Sequence, residues 1–284
     1  MKVFCTFILA ALVWRSQTAR ILVWQPFSLR SHQNTFIPII GALAERGHQV
    51  TYLTNHEVRL FPSNASNTVH QIVLDREVKA DFVLNQLHIL FGNTSWLDAA
   101  MESSQKLSTY SGRLTEAIYQ HPDIQALISG DENFDLMLLS PFFGMTGYPL
   151  SWYFEAPMIF VTPNSLMPGL ASILGDSDHT AYVPYLYGLL SGKLTLMQRL
   201  SNTISSFVHE IFMNSMHHST VHNLVQHILP GCPPLAEIEK DVSLVLTNSH
   251  PVFNYPRPLP PQVIEIGGIH CRPANPLPTV RIWS

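Results

Sequence analysis

The stretch "RILVWQPFSLRSHQNTFIPIIGALAERGHQVTYLT" at residues 20–54 decides the fold. Its first seven residues, 20–26, form an apolar run rich in branched side chains, which predicts a buried strand. Apolar side chains then recur at helical spacing, at Phe36, Ile39, Ile40 and Leu43. Residues 48–54 predict a second strand. A strand, a helix and a strand in this order form the repeating unit of a parallel sheet.

The ends of this helix can be placed from the residue types alone. Ser31 is a favourable N-cap residue, so the sequence predicts that the helix begins at His32. Gly47 is a favourable terminator, because glycine readily adopts the left-handed conformation that ends many helices. Pro38 is the one unfavourable residue within the pattern, since it lacks an amide hydrogen.

The alternation of strand and helix continues along the chain. Further strands are predicted at 69–74, 134–140, 157–163, 242–249 and 262–268. Helices are predicted at 79–91, 97–119 and 144–155, and residues 193–228 are mostly helical by pattern. We therefore expect residues 20–270 to form one doubly wound, mostly parallel, Rossmann-like α/β domain. The proline-rich residues 271–284 are expected to be an interdomain linker.

Composition and the N-terminus limit the class of protein. Hydrophobic residues make up 46% of the chain, charged residues 13%, and the net charge is −4, so nucleic acid is not an expected partner. Lys2 precedes the apolar run "VFCTFILAALVW", which predicts a signal peptide over residues 1–19. That run is too short to cross a bilayer, and no later segment is long enough to be an anchor. The chain is therefore expected in the secretory pathway, in the endoplasmic reticulum lumen or secreted.

Two further features agree with that compartment. Asn64 and Asn93 each begin an N-x-S/T sequon and are candidate glycosylation sites. Of the three cysteines, Cys5 leaves with the signal peptide. Cys232 and Cys271 remain, and the sequence leaves open whether they form a disulfide or stay as free thiols.

His32 is the candidate catalytic residue. In an open parallel sheet, ligands bind beyond the carboxyl ends of the strands, and the loop after the first strand opens there. The positive end of the helix disfavours the imidazolium form, so a neutral ring can accept a proton from a hydroxyl group as a general base. On position alone, a surface histidine near a helix cap is the more common situation in a chain with 14 histidines.

Other chemistries are less well supported. His218 and His222 share a helix face, but no third ligand accompanies them, so no metal site is expected. The loop after the first strand lacks Gly-x-Gly-x-x-Gly, and no Gly-x-Ser-x-Gly is present, which argues against a dehydrogenase and an α/β-hydrolase. Phe142 and Phe143 belong to an aromatic cluster that either lines an apolar acceptor pocket or packs in the core.

The motifs together resemble the N-terminal half of UDP-glycosyltransferases, the family that includes glucuronosyl- and ecdysteroid glucosyltransferases. The matching positions in the first unit are Ser31, His32, Arg46, Gly47, His48, Val50 and Thr51. Four further segments agree: "FDLMLLSPFFG", "YVPYLYGLLSGKLTLMQRLSN", "LVLTNSHPVFNYPRPLPP" and "VIEIGGIH". The resemblance runs from about residue 20 to 278.

This resemblance implies the N-terminal half of a GT-B fold and an inverting sugar transfer. A sugar would pass from a UDP-sugar, held by the C-terminal half, to a hydroxyl group of a small lipophilic acceptor held by the N-terminal half. His32 would deprotonate that hydroxyl as it attacks the anomeric carbon. No cofactor is expected on this chain, because the UDP-sugar is a substrate of the donor-binding half.

The chain departs from the family pattern in two places. The family places an aspartate beside the histidine at the end of the "FDL" strand, and Ser140 occupies that position here; a serine can hydrogen-bond an imidazole but cannot offset its charge. The family's UDP-binding signature is not found, so we expect a truncated acceptor-binding half that is inactive by itself. The alternative is a non-catalytic protein that binds lipophilic ligands or associates with full-length relatives and regulates them.

Overall fold

A seven-stranded parallel sheet organises the part of the chain that the structure describes. The computed structural model describes residues 18–27, 29–58, 68–74, 96–167, 169–185, 192–212 and 218–273. The strands are β1 Arg20–Gln25, β2 Gln49–Thr54, β3 Val69–Val73, β4 Leu136–Leu139, β5 Met158–Thr162, β6 Val242–Thr247 and β7 Val263–Glu265. Their order is β3-β2-β1-β4-β5-β6-β7, and every neighbouring pair is parallel. The predicted doubly wound α/β fold is confirmed.

Helices connect these strands. They are α1 Arg30–Glu45, α2 Trp96–Tyr119, α3 Pro122–Ser129, α4 Tyr148–Tyr153, α5 Leu170–Ile173, α6 Leu196–Phe212, α7 His218–Val225 and α8 Leu235–Ile238. Short 3₁₀ helices at Gly144–Gly147 and Glu239–Asp241 precede α4 and follow α8. The predicted helices at 97–119, 144–155 and within 193–228 are therefore present, whereas the prediction at 79–91 lies outside the described residues. In the described ranges, no helix is long and apolar enough to cross a membrane.

The alternating side chains of β1 build two separate cores. Ile21 and Val23 face α1 and pack with its Phe36 and Ile40. Leu22 and Trp24 face the opposite side of the sheet and belong to the core that contains α2, α3 and α7. All four β1 side chains are almost fully buried. A strand covered on both faces reads as a continuous apolar run, which explains the pattern at residues 21–24.

The N-terminus of α1 differs from the prediction. The helix begins at Arg30 with Leu29 as the N-cap, and no side chain caps it, so the expected Ser31 cap is wrong. A cap contributes only about 1 kcal/mol. Here the buried side chain of Gln33 holds the first turn, because its Nε2 donates to Thr54 Oγ1 (3.0 Å) and to the carbonyl of His56 (2.9 Å).

The C-terminus of α1 is as predicted. Gly47 has φ +87°, and its amide donates to the carbonyl of Ala44 (2.9 Å). The amide of His48 donates to the carbonyl of Leu43 (3.1 Å). This pair of bonds is the Schellman motif, which ends a helix on a left-handed residue. The turn returns the chain to β2, next to β1.

Candidate functional site

The candidate site lies at the carboxyl edge of the sheet, where the strand order reverses. After β1 the chain builds β2 and β3 on one side, and it then returns to place β4 on the other side of β1. In open α/β sheets, ligands bind in the crevice at such a switch point. His32 follows β1, while Ser140 and Phe142 follow β4, so residues after both switch-point strands meet there.

His32 occupies the third position of α1, and its ring is largely enclosed. Its amide donates to the carbonyl of Leu29 (2.9 Å), within the first turn. The imidazole lies against the Phe142 ring, with the centroids 4.6 Å apart and the planes inclined by 33°. Burial lowers the pKa of His32 from its ordinary value, which favours the neutral ring. A lowered pKa was also expected from the sequence, on the ground that His32 lies at the positive end of a helix. In the structure, the cause of the lowered pKa is burial.

The second ring nitrogen of His32 distinguishes this site from a histidine–carboxylate pair. Nδ1 is buried, and no described residue forms a hydrogen bond with it. Ser140, directly after β4, is fully buried. Its amide donates to the carbonyl of Trp24 (2.9 Å), and its Oγ accepts the amide of Phe142 (3.3 Å). Ser140 therefore shapes the turn that carries Phe142 and makes no bond to the imidazole.

His32 lines a cavity of about 270 Å³. The other lining residues come from the start of α1 and from the segments after β5, β6 and β7: Ser31, Asn34, Thr35, Pro163, Asn164, Asn248 and His270. Among the described residues, this lining contains hydroxyl, amide and imidazole groups and no carboxylate, lysine or arginine. It is therefore suited to a neutral group that forms hydrogen bonds, such as an alcohol.

Asn248 connects the segments that form this cavity. Its Nδ2 donates to the carbonyl of Pro163 (3.0 Å) and to Thr35 Oγ1 (3.5 Å). Its Oδ1 accepts the amide of Gly268 (3.3 Å). One side chain thus links α1 with the segments after β5 and β7, and it fixes their separation around the cavity.

The two predicted acceptor-contacting phenylalanines have different surroundings. Phe142 is half-buried and contacts the His32 ring. Phe143 is 6% exposed and packs edge-on against Phe27 and Tyr110, with ring centroids 5.4 and 4.9 Å away. The backbone of Phe143 has the left-handed conformation, with φ 57°. Phe143 is thus a core side chain here, and Phe142 is the member of the pair that reaches the site.

The other predicted features lie elsewhere. Asn64, Asn93 and the predicted signal sequence up to residue 17 are outside the described residues, as are linker residues 274–284. Cys232 is buried, Cys271 is exposed, and both are free thiols. Among the described residues, no group of three or more His, Cys, Asp or Glu side chains could hold a metal ion.

Comparison with known protein families shows to which family the chain belongs. It matches the family described as UDP-glucoronosyl and UDP-glucosyl transferase over residues 19–283. The chain belongs to this family. The UDP-glycosyltransferase resemblance seen in the motifs around His32 is therefore confirmed at the level of the family.

Curated UDP-glycosyltransferase relatives resemble the chain over about half of their own length. UDP-glucuronosyltransferase 2B14 of Oryctolagus cuniculus is 28% identical over 274 residues, which cover 91% of this chain and 50% of the relative. The 2-hydroxyacylsphingosine 1-beta-galactosyltransferase of Homo sapiens is 25% identical, over 93% of this chain and 47% of the relative. UDP-glycosyltransferase UGT4 of Dactylopius coccus is 26% identical, over 91% of this chain and 50% of the relative.

Solved glycosyltransferase structures also align with this family member. The calicheamicin glycosyltransferase CalG4 is 16% identical and aligns with a TM-score of 0.47, over 88% of this chain and 53% of the solved one. Medicago truncatula UGT71G1, solved with UDP-glucose, is 11% identical and aligns with a TM-score of 0.44. The alignment covers 90% of this chain and 52% of the solved one. The doubly wound assignment follows from the strand order of the chain itself.

Several site residues of this UDP-glycosyltransferase chain were not anticipated from its sequence. Asn164 lies two residues after the end of the buried strand β5. Asn248 directly follows the buried strand β6, and His270 lies after β7. Polar residues placed directly after buried strands are a usable signal, because all carboxyl ends of a parallel sheet lie on one edge. Which of them share a cavity depends on the strand order, and the sequence does not show that order.

Proposed function

We propose that this chain is the acceptor-binding part of a UDP-glycosyltransferase and that His32 is its general base. The sugar of a UDP-sugar would pass, with inversion, to a hydroxyl group of a small lipophilic acceptor. The observation that carries the proposal is the placement of a half-buried imidazole, whose pKa is lowered by burial, on a cavity at the switch point of the sheet. Family membership supports the reaction class.

The proton balance assigns a role to each ring nitrogen. Because Nδ1 is enclosed, Nε2 is the nitrogen that an acceptor in the cavity can approach. The hydroxyl proton moves to Nε2 while the acceptor oxygen bonds to the anomeric carbon. The bond from that carbon to the UDP oxygen breaks, and UDP leaves with the electron pair. Base catalysis of this kind typically contributes about 10²–10⁴-fold to a rate.

The acceptor class is supported by the cavity and by one relative. The uncharged, hydrogen-bonding lining suits an alcohol, and Phe142 places an apolar ring beside the imidazole. The human relative is named as a galactosyltransferase acting on 2-hydroxyacylsphingosine, a lipid that carries hydroxyl groups. We propose the secretory pathway as the compartment, with Asn64 and Asn93 as glycosylation sites and residues 1–19 as the leader.

A chimera tests the catalytic proposal. This chain covers about half of its relatives, so it would be joined to the remaining half of UGT4 from Dactylopius coccus and assayed for transfer from UDP-sugars to lipophilic alcohols. We expect transfer that falls at least about a hundredfold in His32→Ala. His270→Gln is the matched control, since this second histidine lines the same cavity. Equal loss in both variants, or no loss in His32→Ala, would contradict the assignment of His32.

The second candidate is a ligand-binding or regulatory partner of full-length relatives. The missing bond at Nδ1 favours it, because an imidazolium formed at His32 has no described carboxylate against it. In that case the chain binds lipophilic alcohols, the chimera transfers no sugar, and co-expression lowers the activity of a full-length relative. In the catalytic case, co-expression leaves that activity unchanged or raises it.

A further inference from the structure

Helix α6 presents a wide apolar face on the surface of the described part of the chain. Six large apolar side chains form it, and each is between 46 and 75% exposed: Leu196, Met197, Leu200, Ile204, Phe207 and Ile211. Because successive residues of an α-helix are turned by about 100°, these six positions share one arc of roughly 100° that extends about 22 Å along the helix. No residue within this apolar arc is polar. Contiguous exposed apolar patches mark sites that contact a membrane or another protein.

Hydrogen bonds on the opposite side of α6 hold the apolar arc outward. Asn202 is buried and forms three hydrogen bonds of 2.7–2.9 Å to the backbone of residues 180–185. The hydroxyl groups of Thr203 and Thr180 are 2.9 Å apart, and Ser206 is also buried. A rotation of α6 that buried the apolar arc would break these bonds. The exposed apolar face is therefore a fixed feature of the fold.

The exposed charged groups of α6 and of the turn before it are positive. Lys193 and Arg199 are both exposed, and Arg199 Nε donates to the carbonyl of Leu194 (3.1 Å). Glu210, the acidic residue of α6, is half-buried, and its Oε1 accepts the hydroxyl of Ser172 (2.8 Å). The whole chain has a net charge of −4, so this positive charge is local. Positive groups beside an apolar helix face are attracted to anionic lipid headgroups.

A membrane surface fits these features better than a protein partner does. Protein interfaces typically form one hydrogen bond per about 100–200 Å² and have a polar rim, whereas the apolar arc offers no polar side chain. An amphipathic helix can lie in the plane of a membrane with its apolar face immersed by about 5–10 Å, and the 17 residues of α6 suit this position. We propose that α6 docks the chain onto a membrane surface that carries anionic lipids, with Lys193 and Arg199 next to the headgroups. Docking of this kind does not depend on the proposed sugar transfer.

Two isoleucines provide a matched test of the apolar arc. Ile204 is 46% exposed on α6, and Ile264 is 45% exposed on β7. The full chain would be sedimented with vesicles of phosphatidylcholine that contain about 20% phosphatidylserine. We expect Ile204→Gln and Phe207→Gln each to lower the partition coefficient about tenfold, because a large apolar side chain no longer leaves water. Ile264→Gln should bind like the wild type.

Two arginines provide a matched test of the charge. Arg199 and Arg46 are both exposed, and each donates to a backbone carbonyl, at 3.1 and 3.5 Å. On anionic vesicles we expect Arg199→Gln to bind about fivefold more weakly than the wild type, and Arg46→Gln to bind like it. On vesicles of phosphatidylcholine alone, both variants should match the wild type. Added salt should weaken binding of the wild type to the anionic vesicles, since it screens the headgroup charge.

The outcomes decide what the apolar arc contacts. No sedimentation of the wild type with vesicles would overturn the proposal, and so would equal losses in Ile204→Gln and Ile264→Gln. Residues 1–19 are the same in every variant, so their own affinity for lipid cancels in this comparison. Analytical ultracentrifugation tests the other occupant, a second copy of the chain. A dimer that Ile204→Gln dissociates, without vesicle binding, would assign the face to self-association and contradict the proposal.

Folding of the variants is verified separately. The substituted side chains are exposed, so circular dichroism spectra and melting curves should match those of the wild type. Phe207→Gln keeps the test decisive if Ile204→Gln is unstable, because the two side chains share the apolar arc. None of these results involves His32, so the proposed function stands or fails on the chimera.

Discussion

The pKa of His32 depends on the ring that covers it. Burial lowers this pKa, and Phe142 contributes part of the cover through its contact at 4.6 Å. In Phe142→Ala, water reaches the imidazole, and we expect its pKa to rise toward the ordinary value of about 6.5. Nuclear magnetic resonance titration of labelled histidines measures this, and His32→Gln identifies the signal. Phe253→Ala removes an exposed ring elsewhere and serves as the control; an unchanged or lower pKa in Phe142→Ala contradicts the prediction.

Ser140 provides a second test at the same site. In Ser140→Ala the turn loses one hydrogen bond, worth about 1 kcal/mol, and the pKa of His32 should stay the same because Ser140 does not contact Nδ1. In Ser140→Asp, a carboxylate at the end of the neighbouring strand should raise the pKa of His32. Burying that carboxylate should also lower the free energy of unfolding, by about 2 kcal/mol. A changed histidine titration in Ser140→Ala would show that the serine bonds the ring in solution.

Among the elements, the 3₁₀ helix at Gly144–Gly147 is fitted against the side chain of Trp24. The indole Nε1 donates to Thr146 Oγ1 (2.9 Å), and a Cβ on residue 147 would lie 2.7 Å from the ring. Trp24 is fully buried in β1 and cannot move aside. We expect Gly147→Ala to lower the free energy of unfolding by about 2 kcal/mol, as overpacking typically does. Urea denaturation measures this.

Gly144 supplies the matched control for that substitution. It belongs to the same 3₁₀ helix, and a Cβ there would lie 3.8 Å from both Leu139 and Phe160, which is an ordinary contact. Gly144→Ala should therefore change stability much less than Gly147→Ala. Equal losses of stability in the two variants would contradict the indole contact as the cause.

Helix α6 has its polar face inward and its apolar face outward. Asn202 is 2% exposed; its Nδ2 donates to the carbonyls of Thr180 (2.7 Å) and Val183 (2.9 Å), and its Oδ1 accepts the amide of Tyr185 (2.7 Å). The outward side chains are large and apolar: Leu196, Met197, Leu200, Ile204, Phe207 and Ile211. The Asn202 side chain therefore anchors this helix to residues 180–185 through three hydrogen bonds.

Removal of that anchor should release the helix locally. Asn202→Ala leaves buried carbonyls and an amide without partners, which costs about 3 kcal/mol at this contact. We expect faster amide hydrogen exchange in residues 180–185 and in α6, with the strands of the sheet unaffected. Ser201→Ala, on the exposed side of the same helix, should exchange like the wild type. Unchanged exchange in Asn202→Ala would show that apolar contacts hold the helix.

For the whole molecule, the sequence predicts the individual strands and helices better than it predicts which residues come together in the fold. The buried run at residues 21–24 and the helical spacing after it specified β1 and α1, because both cores draw on that alternation. The cap at Ser31 failed, since Gln33 bonds to β2 from a position that no local pattern shows. His32 was found from its place after β1. Its companions Asn164, Asn248 and His270 required the order of β5, β6 and β7, which is decided by packing across the chain.

A buried pair far from the site makes the stability of the whole molecule depend on pH. His218 Nε2 lies 3.4 Å from Glu239 Oε2. Burial raises the pKa of Glu239 to about 7 and lowers the pKa of His218 to about 4. Both groups are therefore neutral in the folded protein over the range between these values. Since Glu239 links the segment after α8 to α7 through this contact, its ionisation weakens the packing behind β6.

The sign of the effect follows from comparison with the unfolded chain. The folded pKa of Glu239 lies above its unfolded value of about 4.5, so its contribution is complete at low pH and is lost as the pH rises through about 7. The folded pKa of His218 lies below its unfolded value of about 6.5, so its contribution is lost as the pH falls toward about 4. Stability should therefore be highest between these limits, in mildly acidic solution.

Glu239→Gln keeps a neutral side chain of the same size and removes the loss of stability that occurs in the wild type as the pH rises. Relative to the wild type, its free energy of unfolding should rise between about pH 5 and pH 8, by up to about 3 kcal/mol, as measured by urea denaturation at each pH. Glu237→Gln is the matched control, because Glu237 is exposed on α8 and should leave the pH dependence unchanged. His218→Gln should flatten the acid side instead. If Glu239→Gln and the wild type keep a constant difference across this range, Glu239 is already ionised in the folded protein, and the contact with His218 is an ion pair.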